Sequence, residues 1–173
     1  MNDERIKTSE KLKGFFYVFI LLMVIWLCLT TSLRYDELFT GVLISFLLAV
    51  FLIGTYVGLG FPAFTLRRFF YFILYILVLI KEVIKANFDV AYRVLSPKMP
   101  IKPGIVVIRT HLQQDMAKLI LANSITLTPG TFTLDIIGDR LLIHWINVES
   151  DDMEKATEII GRKFEKYLVE IFK

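Results

Sequence analysis

Residues 122–135, ANSITLTPGTFTLD, decide how this chain is to be read. Upstream of them, Met116, Leu119 and Ile120 recur at helical spacing. Downstream, Phe132, Leu134 and Ile136 alternate with Thr131, Thr133 and Asp135, the period-2 signature of a half-buried strand. Pro129-Gly130 stands between the two patterns. Proline presets φ near −65° at the second position of a turn, and glycine supplies the positive φ that a type II turn then needs. Thr126, Thr128, Thr131 and Thr133 set four hydroxyls around this corner, where they either satisfy backbone groups locally or face a partner.

Working outward, Asp115 to about Leu127 reads as the helix and Thr131 to Ile137 as the strand. Gly138-Asp139 is a two-residue hairpin signal, with Arg140 to Val148 as the return strand. Asp151 caps a final helix, with Glu154 at the reciprocal position of a capping box. Met153, Ala156, Ile160, Phe164, Tyr167, Leu168 and Ile171 form its apolar stripe; Lys155, Glu158, Arg162, Glu165 and Lys166 form its solvated face. Before the central helix, Ile105 to Ile108 is a β-branched run suited to a buried strand, preceded by a proline-marked linker over 97–104. Residues 105–173 therefore predict a β-α-β-β-α domain, like a ferredoxin-type α/β sandwich lacking its last strand. A domain of that size is marginal alone, and its edge or leftover apolar face suits a partner.

The first half is of another kind. Mean hydropathy is +0.61 and 55% of residues are hydrophobic, above the roughly 45–50% usual for soluble domains. The polar tail 1–13 carries Arg5, Lys7, Lys11 and Lys13, and no charge follows until Arg34. Residues 14–33 make a helix of about 30 Å, the thickness of a hydrocarbon core. That run is long for a signal peptide and no small-residue cleavage site follows. After Arg34-Tyr35-Asp36-Glu37, a second span over about 38–57 ends at Gly58-Leu59-Gly60-Phe61-Pro62. The pair, within 14–66, predicts a transmembrane hairpin in the cell membrane. Basic residues in the tail and at Arg67-Arg68 put both its ends in the cytoplasm.

A long third helix is expected over 67–96, reading from Phe69 to Leu95 and stopped by Ser96-Pro97. Its uncharged run, Phe69 to Ile80, has only 12 residues, short for a lone span. Either it lies along the cytoplasmic surface, leaving the α/β domain cytoplasmic, or it spans and carries that domain across. Lys98 and Lys102 favour the first. Lys81, Glu82 and Asp89 are weak ion-path candidates, because ionisable groups near membrane depth often line such paths. The plain alternative is an i,i+4 pair between Lys85 and Asp89 on a solvated face.

Other chemistry is not indicated. A net charge of +3 without a basic stripe gives no case for nucleic acid. The single cysteine, Cys28, excludes an internal disulfide and reads as packing filler within its apolar run. His111 and His144 lie in no ligand-spaced cluster, and His144 reads as a sheet-surface residue. Thr126, Thr128 and Asp135 offer one carboxylate where hard-cation sites want more. Trp26 and Trp145 suit packing or an interfacial position. No residue set suggests an enzyme, a metal centre or a cofactor.

The string Ile125-Thr126-Leu127-Thr128-Pro129-Gly130-Thr131, with the strand through Asp135, resembles the signature of the E subunit family of the multisubunit Mrp-type Na+/H+ antiporters. That family includes homologous subunits of membrane-bound hydrogenase and sulfur-reducing complexes that carry an Mrp-like module. VLSPK at 94–98, KPGIV at 102–106 and DIIGDRLLIHWINV at 135–148 extend the resemblance over nearly the whole chain. The charged extension before Phe15 is longer than the family's usual start. The resemblance implies a non-catalytic subunit with a cytoplasmic C-terminal domain, serving assembly or stability of an antiporter module. Its implied partners are other membrane subunits of that module and, in a hydrogenase-type host, metal-cluster subunits, with ion movement carried by larger subunits. The alternative, from the residues alone, is a free-standing membrane-tethered α/β sensor or ligand-binding module.

Overall fold

The computed structural model describes residues 2–58 and 65–173, with side chains from Lys11 onward except Val57. Beyond Gly58, the stop signal expected at residues 58–62 lies outside the described residues. Two compact units emerge, Met1–Ala63 and Phe64–Lys173.

The first unit is a helical hairpin of α1 (Asn2–Thr30) and α2 (Tyr35–Gly58). Both contain stretches long and apolar enough to cross a membrane, Lys11–Thr30 and Tyr35–Tyr56. α1 begins inside the stretch read as a polar tail and stops three residues earlier than expected, where Thr31 takes φ +49°. Tyr35, Asp36 and Glu37 are the first turn of α2 rather than a loop; the two carboxylates face the positive end of its dipole. Gly41, Ser45 and Ala49, spaced by four, form a buried small-residue seam on α2, and Val18 is buried on α1. Gly41 is required by close approach, since a Cβ there would sit 2.4 Å from the Trp26 ring. Trp26 also donates to the Glu37 carbonyl at 3.0 Å, so its role is packing with a polar tie. Cys28 faces outward from the hairpin, contrary to the packing role expected of it.

The second unit starts with α3 (Leu66–Leu95), capped by Thr65, whose hydroxyl accepts from Arg68 N–H. Arg67 and Arg68 are thus helical, not the end of a loop. Next come β1 (Gly104–Arg109), α4 (Asp115–Leu127), β2 (Thr131–Ile137) and β3 (Arg140–Trp145). The expected last helix is two, α5 (Met153–Ile160) and α6 (Arg162–Phe172), interrupted at Gly161. A Cβ at Gly161 would lie 3.2 Å from Ile108, so the interruption falls where the helix packs closest on β1. Its N-cap is Asp152, which accepts from Lys155 N–H, and not Asp151.

The sheet has order β1-β3-β2, antiparallel throughout. Beyond Trp145 the return strand leaves β2's partner register, and Asn147 forms a parallel bridge with Lys102. One sheet face, with Val106, Ile108, Leu141, Ile143 and Trp145, packs on α4, α5 and α6 around the fully buried Phe164, Leu121 and Leu168. Over those helices α3 adds a third layer, sending Tyr75 into the core with Tyr71, Val78 and Leu79 beside it. The two-helix cover expected from sequence is therefore incomplete: α3 belongs to this unit.

Strand β2 departs from simple alternation. Thr131 and Thr133 turn inward beneath α4, while Phe132 and Leu134 are exposed on the outer face. A bulge at Leu134, where the register steps from Thr133↔Ile143 to Asp135↔Leu142, then swings Ile136 inward and Ile137 out. The apolar alternation is real, but its leading residues face away from the core. His144 lies on that outer face between Ile105 and Phe132, the surface position expected of it.

Candidate functional site

The corner after α4 is a type II turn. Thr131 N–H donates to the Thr128 carbonyl at 3.2 Å across Pro129-Gly130, and Gly130 has φ +91°. A Cβ at Gly130 would approach Ile146 to 2.9 Å. The threonines answer the question their pattern raises: they satisfy backbone groups at the helix's C-terminal end, where carbonyls lack intrahelical partners. Thr131 Oγ1 lies 2.6 Å from the Ile125 carbonyl and 2.9 Å from that of Thr128, sharing one proton. Thr128 Oγ1 donates to Ser124 O, and Thr133 Oγ1 to Ala122 O. Thr126 Oγ1 accepts from Thr133 N–H. Three of these hydroxyls, Thr126, Thr131 and Thr133, thus stitch the end of α4 to β2, and Thr128 closes the helix end itself.

Beside this corner, the inner face of α3 and the α5–α6 junction enclose a cleft of about 210 Å³. Ile125, Thr128, Pro129 and Thr131 line it, and so do Glu82 and Asp89. Two groups of residues singled out separately in sequence meet here. Lys81 does not join them and is exposed on α3; Thr126, Leu127 and Asp135 point elsewhere, Asp135 accepting from Ile136 N–H.

Two carboxylates of the cleft are held in ion pairs. Glu82 Oε2 accepts from Lys163 Nζ at 2.9 Å, tying α3 to α6. Burial pushes the Glu82 carboxyl up, but the hydrogen bond and charge of Lys163, with Lys85 and Lys81, outweigh it and hold the group below its ordinary value. Asp89 makes a two-pronged pair with Arg93, at 2.7 and 3.1 Å, rather than the expected pair with Lys85. That bond, against a smaller opposing effect of burial, raises Arg93 further. A relay carboxylate must take up and release its proton near working pH; Glu82 is displaced in the opposite direction. Nearby, Ser124 gives its proton to the Ile120 carbonyl, so Tyr75 donates to Ser124 Oγ at 2.6 Å. Among the described residues no group of three or more His, Cys, Asp or Glu side chains is placed to hold a metal.

Glu165, which its spacing puts on the solvated face of the last helix, is only 3% exposed. Its carboxylate accepts from Thr110 Oγ1 at 2.8 Å and from His111 N–H, and His111 Nδ1 stands 3.5 Å away. It pins the loop before α4 to α6. Its hydrogen-bond partners, Thr110 and His111, lie far off in sequence, and no local pattern announces that contact.

The corner and the cleft are cross-braced by hydrogen bonds and ion pairs, and comparison with known proteins identifies the family. The family model described as Na+/H+ ion antiporter subunit matches residues 19–171. The chain belongs to that antiporter-subunit family. It is 41% identical over 133 residues to the Na+/H+ antiporter E subunit of Alkalihalophilus pseudofirmus, covering 71% of this chain and 84% of that one. To the E1 subunit of the Staphylococcus epidermidis antiporter it is 34% identical over 151 residues, 87% of this chain and 92% of that one. Among solved structures, a chain of the membrane-bound sulfane sulfur reductase, an archaeal respiratory membrane complex, matches with TM-score 0.80 and 48% identity. The match covers 92% of this chain and 99% of that chain. These likenesses take in both the hairpin and the α/β unit of this antiporter-subunit homologue.

Proposed function

We propose that this antiporter E subunit homologue is a non-catalytic membrane component of a multisubunit cation/proton antiporter module, serving its assembly and stability. The carrying observation is the family match over residues 19–171. The site supports a scaffolding role: Glu82 and Asp89 sit in ion pairs within one folded unit, and the signature threonines cap a helix. The open sheet face, with Ile105, Phe132, Leu134 and Ile137 exposed, is in keeping with a chain that works inside an assembly. Its partners are the module's other membrane subunits. The 48% identity to a chain of a respiratory complex favours a redox-driven host that also carries metal-cluster subunits. We read the α/β unit as an open ferredoxin-like sandwich in the cytoplasm with the N-terminus, a reading supported by the basic residues of the tail and Arg67-Arg68.

The test is to introduce Glu82→Gln with Asp89→Asn and measure two quantities, the amount of assembled complex and cation/proton exchange per assembled complex. Scaffolding predicts unchanged exchange per complex, with assembly reduced at most. A loss of exchange in fully assembled complex would mean these carboxylates carry ions. For topology, a cysteine replacing the exposed Asp151, with Cys28→Ser, is expected to resist impermeant thiol reagents in intact cells and to react once membranes are opened. Labelling from outside contradicts the assignment.

A further inference from the structure

Helix α3 has a second apolar face. Tyr71, Tyr75, Val78 and Leu79 face the α/β core. On the opposite side Phe70, Ile73, Leu77, Ile80, Ile84 and Phe88, spaced by three and four, are 42–73% exposed. At 100° per residue they fall on one stripe that runs most of a helix of about 45 Å. Lys81 and Lys85 follow one border of that stripe; Glu82 and Asp89 lie on the inner side, paired. So long a contiguous apolar surface is foreign to a face bathed in water.

We propose that this stripe lies in the headgroup–acyl boundary of the bilayer, with α3 parallel to the membrane surface. Three observations select lipid as the occupant. The chain enters α3 from a helix long and apolar enough to cross a membrane, with only residues 59–65 between. The border cations are those whose stems lie along apolar surface while their ammonium groups reach lipid phosphates. No acidic residue interrupts the stripe.

A crossing orientation is excluded by the other face. The α/β unit holds α3 along its length: Arg67 to Glu170 at 2.6 Å, Arg68 to the Lys173 carbonyl, Tyr75 to Ser124, and Glu82 to Lys163. If α3 crossed the bilayer, that charged surface and its α/β layer would enter hydrocarbon with it. Lying flat, α3 floors the domain with its apolar stripe and keeps those pairs on the wet side. The inference does not depend on the antiporter role; it needs only the hairpin anchor.

Nitroxide labels test it in the full-length chain reconstituted in nanodiscs, in a Cys28→Ser background. Single labels go on Ile73→Cys, Ile80→Cys, Ile84→Cys and Phe88→Cys, with Arg162→Cys as a water-facing control. Collision with oxygen and with a water-soluble nickel chelate then reads depth. The expected result is one shallow, oxygen-accessible depth shared by all four stripe positions, with Arg162→Cys accessible to nickel. Depth that rises to the bilayer centre and falls again along the helix means a span and overturns the proposal. So does nickel accessibility equal to the control, or exclusion of both reagents, which marks a protein-covered face. Folding of each variant is checked by unchanged far-UV circular dichroism, and Ile80→Ser serves where a label disturbs it.

Discussion

Gly130 and Thr131 carry more of the corner than their size suggests. Gly130→Ala must hold a β-carbon at φ +91° and 2.9 Å from Ile146, a combination expected to cost about 1–3 kcal/mol. Thr131→Val keeps shape but removes the hydroxyl proton shared by the Ile125 and Thr128 carbonyls, each of which keeps a backbone N–H donor, for about 0.5–1.5 kcal/mol. Thr126→Val, at an exposed site with one accepted bond, costs less. Thermal unfolding of the purified membrane protein orders them, and equal effects for Thr126→Val and Thr131→Val would contradict the capping role. Glu165→Leu strips the buried Thr110 hydroxyl and the part-buried His111 N–H of their acceptor, for about 2–4 kcal/mol, with Glu165→Gln milder. The turn was legible because Pro-Gly has a local mechanism. The burial of Glu165 was not, because its hydrogen-bond partners lie more than fifty positions away.

Among elements, α4, β1 and the β2–β3 hairpin were readable from periodicity and turn chemistry, with ends at Leu127, Ile137 and Arg140 as expected. Two features escaped for one reason. The outward placement of Phe132 and Leu134 and the two-sided character of α3 both depend on which face a neighbour covers, which alternation does not encode. The Glu82–Lys163 pair that fastens α3 to α6 makes this attachment pH-dependent. Because folding lowers the Glu82 pKa, its contribution is present above the unfolded-state value and is lost as pH falls through the folded one. For a partly exposed pair the size is about 1 kcal/mol or less. Stability of wild type relative to Glu82→Gln should therefore be constant at neutral pH and converge in acid, below the ordinary carboxylate range. A difference that persists unchanged through acid would show that the carboxylate charge is not what matters.

At the scale of the molecule, two units of different chemistry are joined in one chain, an apolar hairpin with a small-residue seam and a braced α/β unit. Composition made that division plain. That α3 groups with the α/β unit was hidden by the helix's apolar run, which looks like membrane sequence and partly packs as protein core. Family membership rests on matches that span both units. The central claim, that this chain is a scaffold inside a larger ion-translocating assembly, is tested most directly by its company. A tagged copy purified from native membranes in mild detergent is predicted to bring large multi-spanning antiporter-like subunits and small hydrophobic ones, with metal-cluster subunits beside them. A clean monomer or homodimer at every detergent strength would contradict the account.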